Sequence, residues 1–220
     1  MSCCCPHDRS ASRLFSWFAP SYCRRFKKRG LEPSQRQLLG ALERVGFERA
    51  SLLEIGCGVG HLHQTLLERG ASRAVGIDLA PGMIEAARAW AAERGLAART
   101  DYRVGDFMDQ AQELEAADVV LLDKVLCCYP DARGLVRRSL AKTSKVYAVT
   151  YPRRCWYVRL GLALGSFALW LMRSDFRAYL HDPREIEAWI RDAGFEKRHE
   201  ARTWVWLTQI FTRDAMGIRP

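Results

Sequence analysis

The order of apolar and polar positions along the chain falls into three stretches. Phe15, Phe18, Tyr22 and Phe26 recur at helical spacing, interrupted by Pro20, and predict one or two short amphipathic helices over 10–29. A further helix is predicted over 33–45 (PSQRQLLGALERV), with Pro33 near its start. From residue 51 the pattern alternates. An apolar strand at 51–55 precedes a helix at 60–69, a strand at 73–77 and a helix at 81–94. A strand near 101–104, a buried strand DVVLLD at 118–123, a helix at 131–142 and a strand at 145–151 follow. Strands alternating with helices imply a mostly parallel sheet covered on both faces.

The end of the chain breaks this rhythm. Asp182, Pro183 and Glu185 form a capping-box-like start for a helix over 183–193, closed by Gly194. FEKRHEARTWVWLTQIFTR then reads as two strands with a tight reversal near Ala201, so the last strand is expected to run antiparallel. No repeat or low-complexity linker divides the chain. The expectation is an α/β domain over 33–220, with an apolar insertion at about 152–180, preceded by an N-terminal arm or lid over 1–32.

Composition narrows the class. Of the net charge of +9, most comes from residues 1–30, where seven Lys and Arg face the single acid Asp8. A basic arm on a nearly balanced body suits a solvated helix face, an anionic small molecule or an anionic membrane surface. No helix-turn-helix, finger or RNA-binding signature accompanies it, so no nucleic-acid partner is expected. The longest apolar stretch, Leu160–Met172, has thirteen residues, short of the roughly 20 that span a bilayer. It is expected to be a buried or interfacial helix: the wall of a lid over an apolar substrate, or else a peripheral membrane contact. With no signal-peptide pattern at the start, a cytoplasmic protein is expected. The eight cysteines (3, 4, 5, 23, 57, 127, 128, 155) form no C-x₂-C pair and no secreted disulfide framework, so no metal is expected.

The chemistry concentrates at LLEIGCGVGHL, residues 52–62. A dinucleotide fingerprint would put its third glycine at position 61, which is His61, and no P-loop Lys-Ser or Lys-Thr follows. What stands here is Glu54 two residues before Gly56, then Gly58 and Gly60. An acid at that place repels a pyrophosphate and suits a ligand carrying an ammonium and a sulfonium, such as S-adenosylmethionine. The glycines let the backbone lie flat against it. About 20 residues on, VGIDLAPGMI ends a strand at Asp78, whose carboxylate can accept from two ribose hydroxyls. In VGDF, Asp106 can accept from an adenine amino group while Phe107 packs on the ring.

LLEIGCGVG, VGIDLAPGM, VGDF and DVVLLDKVLCCYPD resemble the successive motifs of class I S-adenosylmethionine-dependent methyltransferases over roughly residues 50–213. The resemblance implies a seven-stranded, mostly parallel sheet with an antiparallel last strand and helices on both faces. It implies that Glu54 and the Gly56–Gly60 loop, Cys57 included, face the methionine end. It assigns Asp78, with Leu79 and Met83 beyond it, to the ribose side, and Gly105, Asp106 and Phe107 to the adenine. Asp123, ending DVVLLD, completes the expected cofactor-contacting set.

More narrowly, DKVLCCYPD, YPRRCWY and FRAYLH are similar to magnesium-protoporphyrin methyltransferases. That family carries a histidine before its Tyr-Pro; here the position is Cys128. A thiol is a poor magnesium ligand, which puts a porphyrin acceptor in question. Cys127 with Cys128 could instead face a thiol, metalloid or selenium acceptor, joined by Cys3, Cys4 and Cys5 of the arm, or simply be packed apolar residues. In a eukaryotic cell those three cysteines could also be palmitoylated. Methyl transfer needs alignment, desolvation and sometimes a base. Tyr129, Cys128 and His181 are the expected catalytic set, with Tyr22 closing the arm and Arg153 and Arg154 able to pair a substrate carboxylate. A cofactor-binding partner subunit without activity shares every cofactor motif and is the alternative of another class.

Overall fold

The computed structural model describes residues 6–171 and 174–213. Two helices open the chain, α1 (Pro6–Arg29) and α2 (Pro33–Val45). The alternating region follows as β1 (Ser51–Ile55), α3 (His61–Glu68), β2 (Arg73–Asp78), α4 (Pro81–Glu93), β3 (Thr100–Val104) and α5 (Phe107–Gln110). Next come β4 (Ala117–Asp123), α6 (Ala132–Ala141) and β5 (Thr143–Pro152). The chain closes with α7 (Trp156–Leu171), α8 (Pro183–Asp192), β6 (Phe195–Arg202) and β7 (Trp206–Arg213).

The strands form one sheet in the order β3-β2-β1-β4-β5-β7-β6, parallel except that β7 runs antiparallel to both neighbours. The unbroken apolar run of β1 follows from burial on both faces. Leu52 joins a core with Leu38 and Leu42 of α2, Leu66 of α3 and Ile84 of α4. Leu53 points to the opposite core, with Phe107, Val136 of α6 and Ile186 of α8. Strand order reverses between β1 and β4, where Leu53 lies level with Val120 and Glu54 with Leu121. A crevice at such a switch point, outside the carboxyl ends of the strands, is where open α/β sheets bind ligands. Glu54, Asp78 and Asp123 stand at that edge.

One open choice closes and three sequence expectations change. The arm, expected as one or two helices, is one: α1 continues through Pro20. A proline removes one backbone bond, but α1 is held by packing along α4. Ala19 is buried with Val59, Ala80 and Met83, and Gly82 N–H donates to Ser16 Oγ at 3.2 Å. A Cβ on Gly82 would come within 3.0 Å of Ser16, so the glycine permits the close crossing. The reversal near the chain end lies at 203–205, with Ala201 still paired to Thr208 inside β6. The apolar insertion is not a buried helix. Among residues 156–171 only Val158 is buried, and Leu164, Phe167, Trp170 and Leu171 are each at least 60% exposed. Nor is it the lid wall, for none of its residues lines the cleft described below. Cys3, Cys4 and Cys5 lie outside the described residues.

Candidate active site

Gly56, Gly58 and Gly60 all adopt left-handed backbone, with φ of 64°, 53° and 76°, which explains their alternate spacing: side-chain-bearing residues resist that conformation. The three differ in what lies above them. A Cβ on Gly56 would sit 2.4 Å from Val125 Cγ2, and one on Gly60 would meet Gln64 and His63. At Gly58 the nearest protein atom would be Met83 Sδ at 4.0 Å. What a side chain would occupy at Gly58 is the cleft itself.

Asp78 holds the loop in place. Its Oδ2 accepts from Gly58 N–H at 2.8 Å and its Oδ1 from Ala80 N–H at 2.9 Å. Burial pushes its carboxyl above the usual range, although those two bonds pull it back. Glu54, only 3% exposed, accepts from His63 N–H at 3.3 Å and lies 2.5 Å from His63 Nδ1. His63 Nε2 is 2.8 Å from the Tyr102 hydroxyl, which accepts from Gln64 Nε2 at 2.7 Å. This chain of bonds assigns the tautomer: Tyr102 donates to Nε2, and Nδ1–H donates to Glu54. Burial raises the Glu54 carboxyl and the His63 bond opposes the rise.

A cleft enclosing about 1160 Å³, open solvent at its mouth included, runs across this edge. Glu54, Gly56, Cys57 and Gly58 line it, with Asp78, Leu79, Met83, Gly105, Phe107 and Asp123. Gly60 and Asp106 lie just behind: Gly60 caps α3, and Asp106 caps α5 by accepting from Met108 N–H at 2.8 Å. Tyr129 and Cys128 line the far side, and the Tyr129 hydroxyl donates to Asp106 Oδ1 at 2.6 Å. Burial, with the Asp106 carboxylate beside it, pushes the Tyr129 phenol well up, so it stays protonated. The Cys127 thiol next to it, together with burial, pushes Cys128 well up. Cys127 itself turns away, 3.3 Å from Lys124 O.

His181 is not brought to the cleft. Its Nε2 lies 3.0 Å from Leu126 O and 2.9 Å from Tyr129 O, so the ring holds the 126–129 loop in shape. Arg153 and Arg154 are also spent within the chain. Arg153 donates to Thr203 O, and Arg154 pairs with Asp182, the N-cap of α8.

The helical arm supplies what the motifs did not reveal. Phe15, Tyr22, Arg25 and Phe26 of α1 line the cleft, followed by Glu32 and Gln35. Phe26 stacks on His61, with ring centroids 3.8 Å apart and 14° between planes. Burial, then the Arg94 cation, lowers His61 to about 3, so its ring is neutral and takes no proton near pH 7. Arg25 bonds Glu32 at 3.1 Å, Glu32 bonds Lys124 at 2.5 Å, and Lys124 lies 3.7 Å from Asp123. Gln35 donates to Asp123 Oδ2 at 2.9 Å, while Asp123 Oδ1 is buried without a partner. Only the aromatic spacing of 15–26 hinted at this wall; nothing local in the sequence pairs residue 32 with 124.

The residues suit a cationic nucleoside sulfonium. One orphaned carboxylate oxygen awaits a donor, further carboxylates face the same space, and of the three loop glycines the one with room above it, Gly58, faces the cleft. Such an arrangement can hold a charged donor and shield a displacement from water.

Residues 52–146 match the methyltransferase domain family. The ubiquinone biosynthesis O-methyltransferase of Pseudomonas paraeruginosa is 32% identical over 161 residues, which cover 70% of this chain and 68% of that protein. The enzyme of the same description from Xanthomonas axonopodis pv. citri is 31% identical over 173 residues, 76% and 70% of the two chains. In fold, the chain is similar to magnesium protoporphyrin IX methyltransferase from Synechocystis PCC 6803, with a TM-score of 0.70, 17% identity and coverage of 97% and 100%. The chain belongs to the class I S-adenosylmethionine-dependent methyltransferases. It is an enzyme that uses S-adenosylmethionine to methylate a small-molecule acceptor.

Proposed function

We propose that the reaction is O-methylation of a small acceptor with an apolar, aromatic body and a hydroxyl group, lying between Tyr129 and α1. The observation that carries it is the wall opposite the glycine loop. Phe15, Tyr22 and Phe26 present aromatic surface, and Tyr129 and Cys128 face them with groups that stay protonated. The relatives described as ubiquinone biosynthesis O-methyltransferases support the same acceptor atom. S-adenosylmethionine supplies a methyl group already activated by its sulfonium. The chain's part is to hold and align. In this reading Glu54 and the free oxygen of Asp123 take the ammonium end, Asp78 the ribose, and Phe107, with Asp106 behind it, the adenine. Tyr129 positions the acceptor, and α1 closes over both ligands and excludes water.

The turned-away thiol of Cys127 weighs against a soft acceptor, because it leaves Cys128 as the one sulfur of the pair facing the cleft. A carboxylate acceptor gains no free cation from Arg25, which is engaged by Glu32. The test is a panel of phenols, carboxylates, thiols, arsenite and magnesium protoporphyrin, read by transfer of a tritiated methyl group. Turnover of phenols alone is expected. Methylation of thiols or arsenite with no phenol product overturns the reading.

A further inference from the structure

Asp123 and Lys124 are neighbours in sequence, of opposite charge, and both line the cleft. Their side chains are 6% and 19% exposed, yet they do not join: Lys124 Nζ lies 3.7 Å from Asp123 Oδ2, beyond hydrogen-bond reach. With so little water around them, such groups gain from closing to a charge-assisted bond. The first turn of α2 keeps them apart. Glu32, its N-cap, takes Lys124 at 2.5 Å, and Gln35, three residues on, donates from Nε2 to Asp123 Oδ2 at 2.9 Å.

The residue type at position 35 carries the argument. Glu32 N–H donates to Gln35 Oε1 at 3.1 Å, so the amide is engaged at both ends. Turning it over would set N–H against N–H and oxygen against oxygen, so its two partners fix its orientation. Capping α2 does not by itself call for glutamine. A glutamate accepts from the N-cap N–H equally well and suits the positive end of a helix better, but it would meet Asp123 with a second anion. An amide serves both partners. Among the described residues, its bond is the one that the Asp123 carboxylate receives, and Asp123 Oδ1 is left buried without a partner.

We infer that Gln35 is a positioning residue for the cofactor. By holding Oδ2 it fixes the Asp123 carboxylate so that Oδ1 is presented to the cofactor's ammonium group. Glu32, by occupying Lys124, stops that cation from claiming the same carboxylate. The inference rests on the assignment of Asp123 to the ammonium end made above. The unpaired oxygen is costly while the cleft holds no cation, and an arriving ammonium relieves it. Without the Gln35 bond, Asp123 is free to turn toward Lys124, and the ammonium loses a partner that was already aligned.

The test is calorimetry of the full chain with three ligands: S-adenosylhomocysteine, its analogue lacking the amino group, and 5′-methylthioadenosine, which lacks the whole amino-acid end. Wild type is expected to prefer S-adenosylhomocysteine over the analogue by about tenfold or more, the scale of a hydrogen bond to a charged group. Gln35→Met, similar in size but unable to form the bond, is expected to lower that preference by about fivefold or more, with the affinity for 5′-methylthioadenosine unchanged. Asp123→Asn is expected to remove the preference. If the preference survives Asp123→Asn, the ammonium does not sit on this carboxylate, and the inference falls with the reading beneath it. If Asp123→Asn removes the preference but a well-folded Gln35→Met keeps it, the role of Gln35 is overturned and the binding mode stands. An equal loss of affinity for all three ligands in Gln35→Met also overturns it, because a cap that merely holds α2 cannot tell an amino group from its absence. Should Gln35→Met fail to fold, Gln35→Asn keeps the amide but is one methylene too short for Asp123. The same loss of preference is expected of it, and a preference at the wild-type level overturns the inference.

Discussion

The two walls of the cleft are built differently. On the sheet side, carboxylates and glycines come from strand ends and the turns that follow them, within seventy residues of chain, and most are buried and bonded to nearby backbone. On the opposite side, α1 and the 126–129 loop come from distant parts of the sequence and meet through side-chain stacking and ion pairs. The first wall is of the kind that a cofactor shared by many enzymes requires. The second, assembled from a helix and a loop far apart in sequence, is of the adjustable kind in which related enzymes are expected to differ.

If that contrast is right, the sheet wall is the fragile one. Gly56→Ala carries the largest expected effect. Its Cβ would press on Val125, a stiff β-branched side chain, from a left-handed backbone, and unfolding by urea should show a loss of about 2–5 kcal/mol. Next is Asp78→Ala, expected to weaken cofactor binding by about 1–3 kcal/mol in calorimetry, because it orphans Gly58 and Ala80 N–H and, in the proposed binding mode, removes the ribose partner.

A smaller effect concerns pH. Burial raises both Glu54 and Asp78 above the usual carboxylate range, and a cationic ligand favours their ionised forms. Cofactor affinity is therefore expected to fall as pH drops from neutral through that raised range, with protons released on binding. Glu54→Gln should flatten the dependence; an affinity that is flat in the wild type would remove these carboxylates from the site. Smallest is Cys128→Ser on the adjustable wall, expected to change cofactor affinity and phenol turnover by less than about 1 kcal/mol. A large loss of turnover there would return sulfur to the chemistry.

The same division decides what the sequence could reveal. The central strands were legible because a strand buried on both faces is a short apolar run, as in LLEI and DVVLLD; the polar edge strands β3 and β6 were legible only from their place in the alternation and in the closing hairpin. That the acids and glycines gather at one cleft was legible too, since they sit at fixed offsets from those strands. The continuity of α1 through Pro20 was not, because the compensation lies in Gly82 and Ala80 sixty residues away. The exposure of α7 was not, because a run of Leu, Phe and Trp reads alike whether protein or something else covers it. His181 looked like a candidate base from its residue type; its position beneath two carbonyls emerges only in three dimensions.

The chain of charges from Arg25 through Glu32 and Lys124 to Asp123 is partly open to water, with Arg25 itself 55% exposed. Mobile ions screen exposed pairs far more than buried ones. Salt should therefore loosen the Arg25 end of this chain more than the buried Asp78 bonds that hold the glycine loop. If α1 closes over the acceptor as proposed, the surrounding electrolyte is expected to act on that closure rather than on capture of the cofactor.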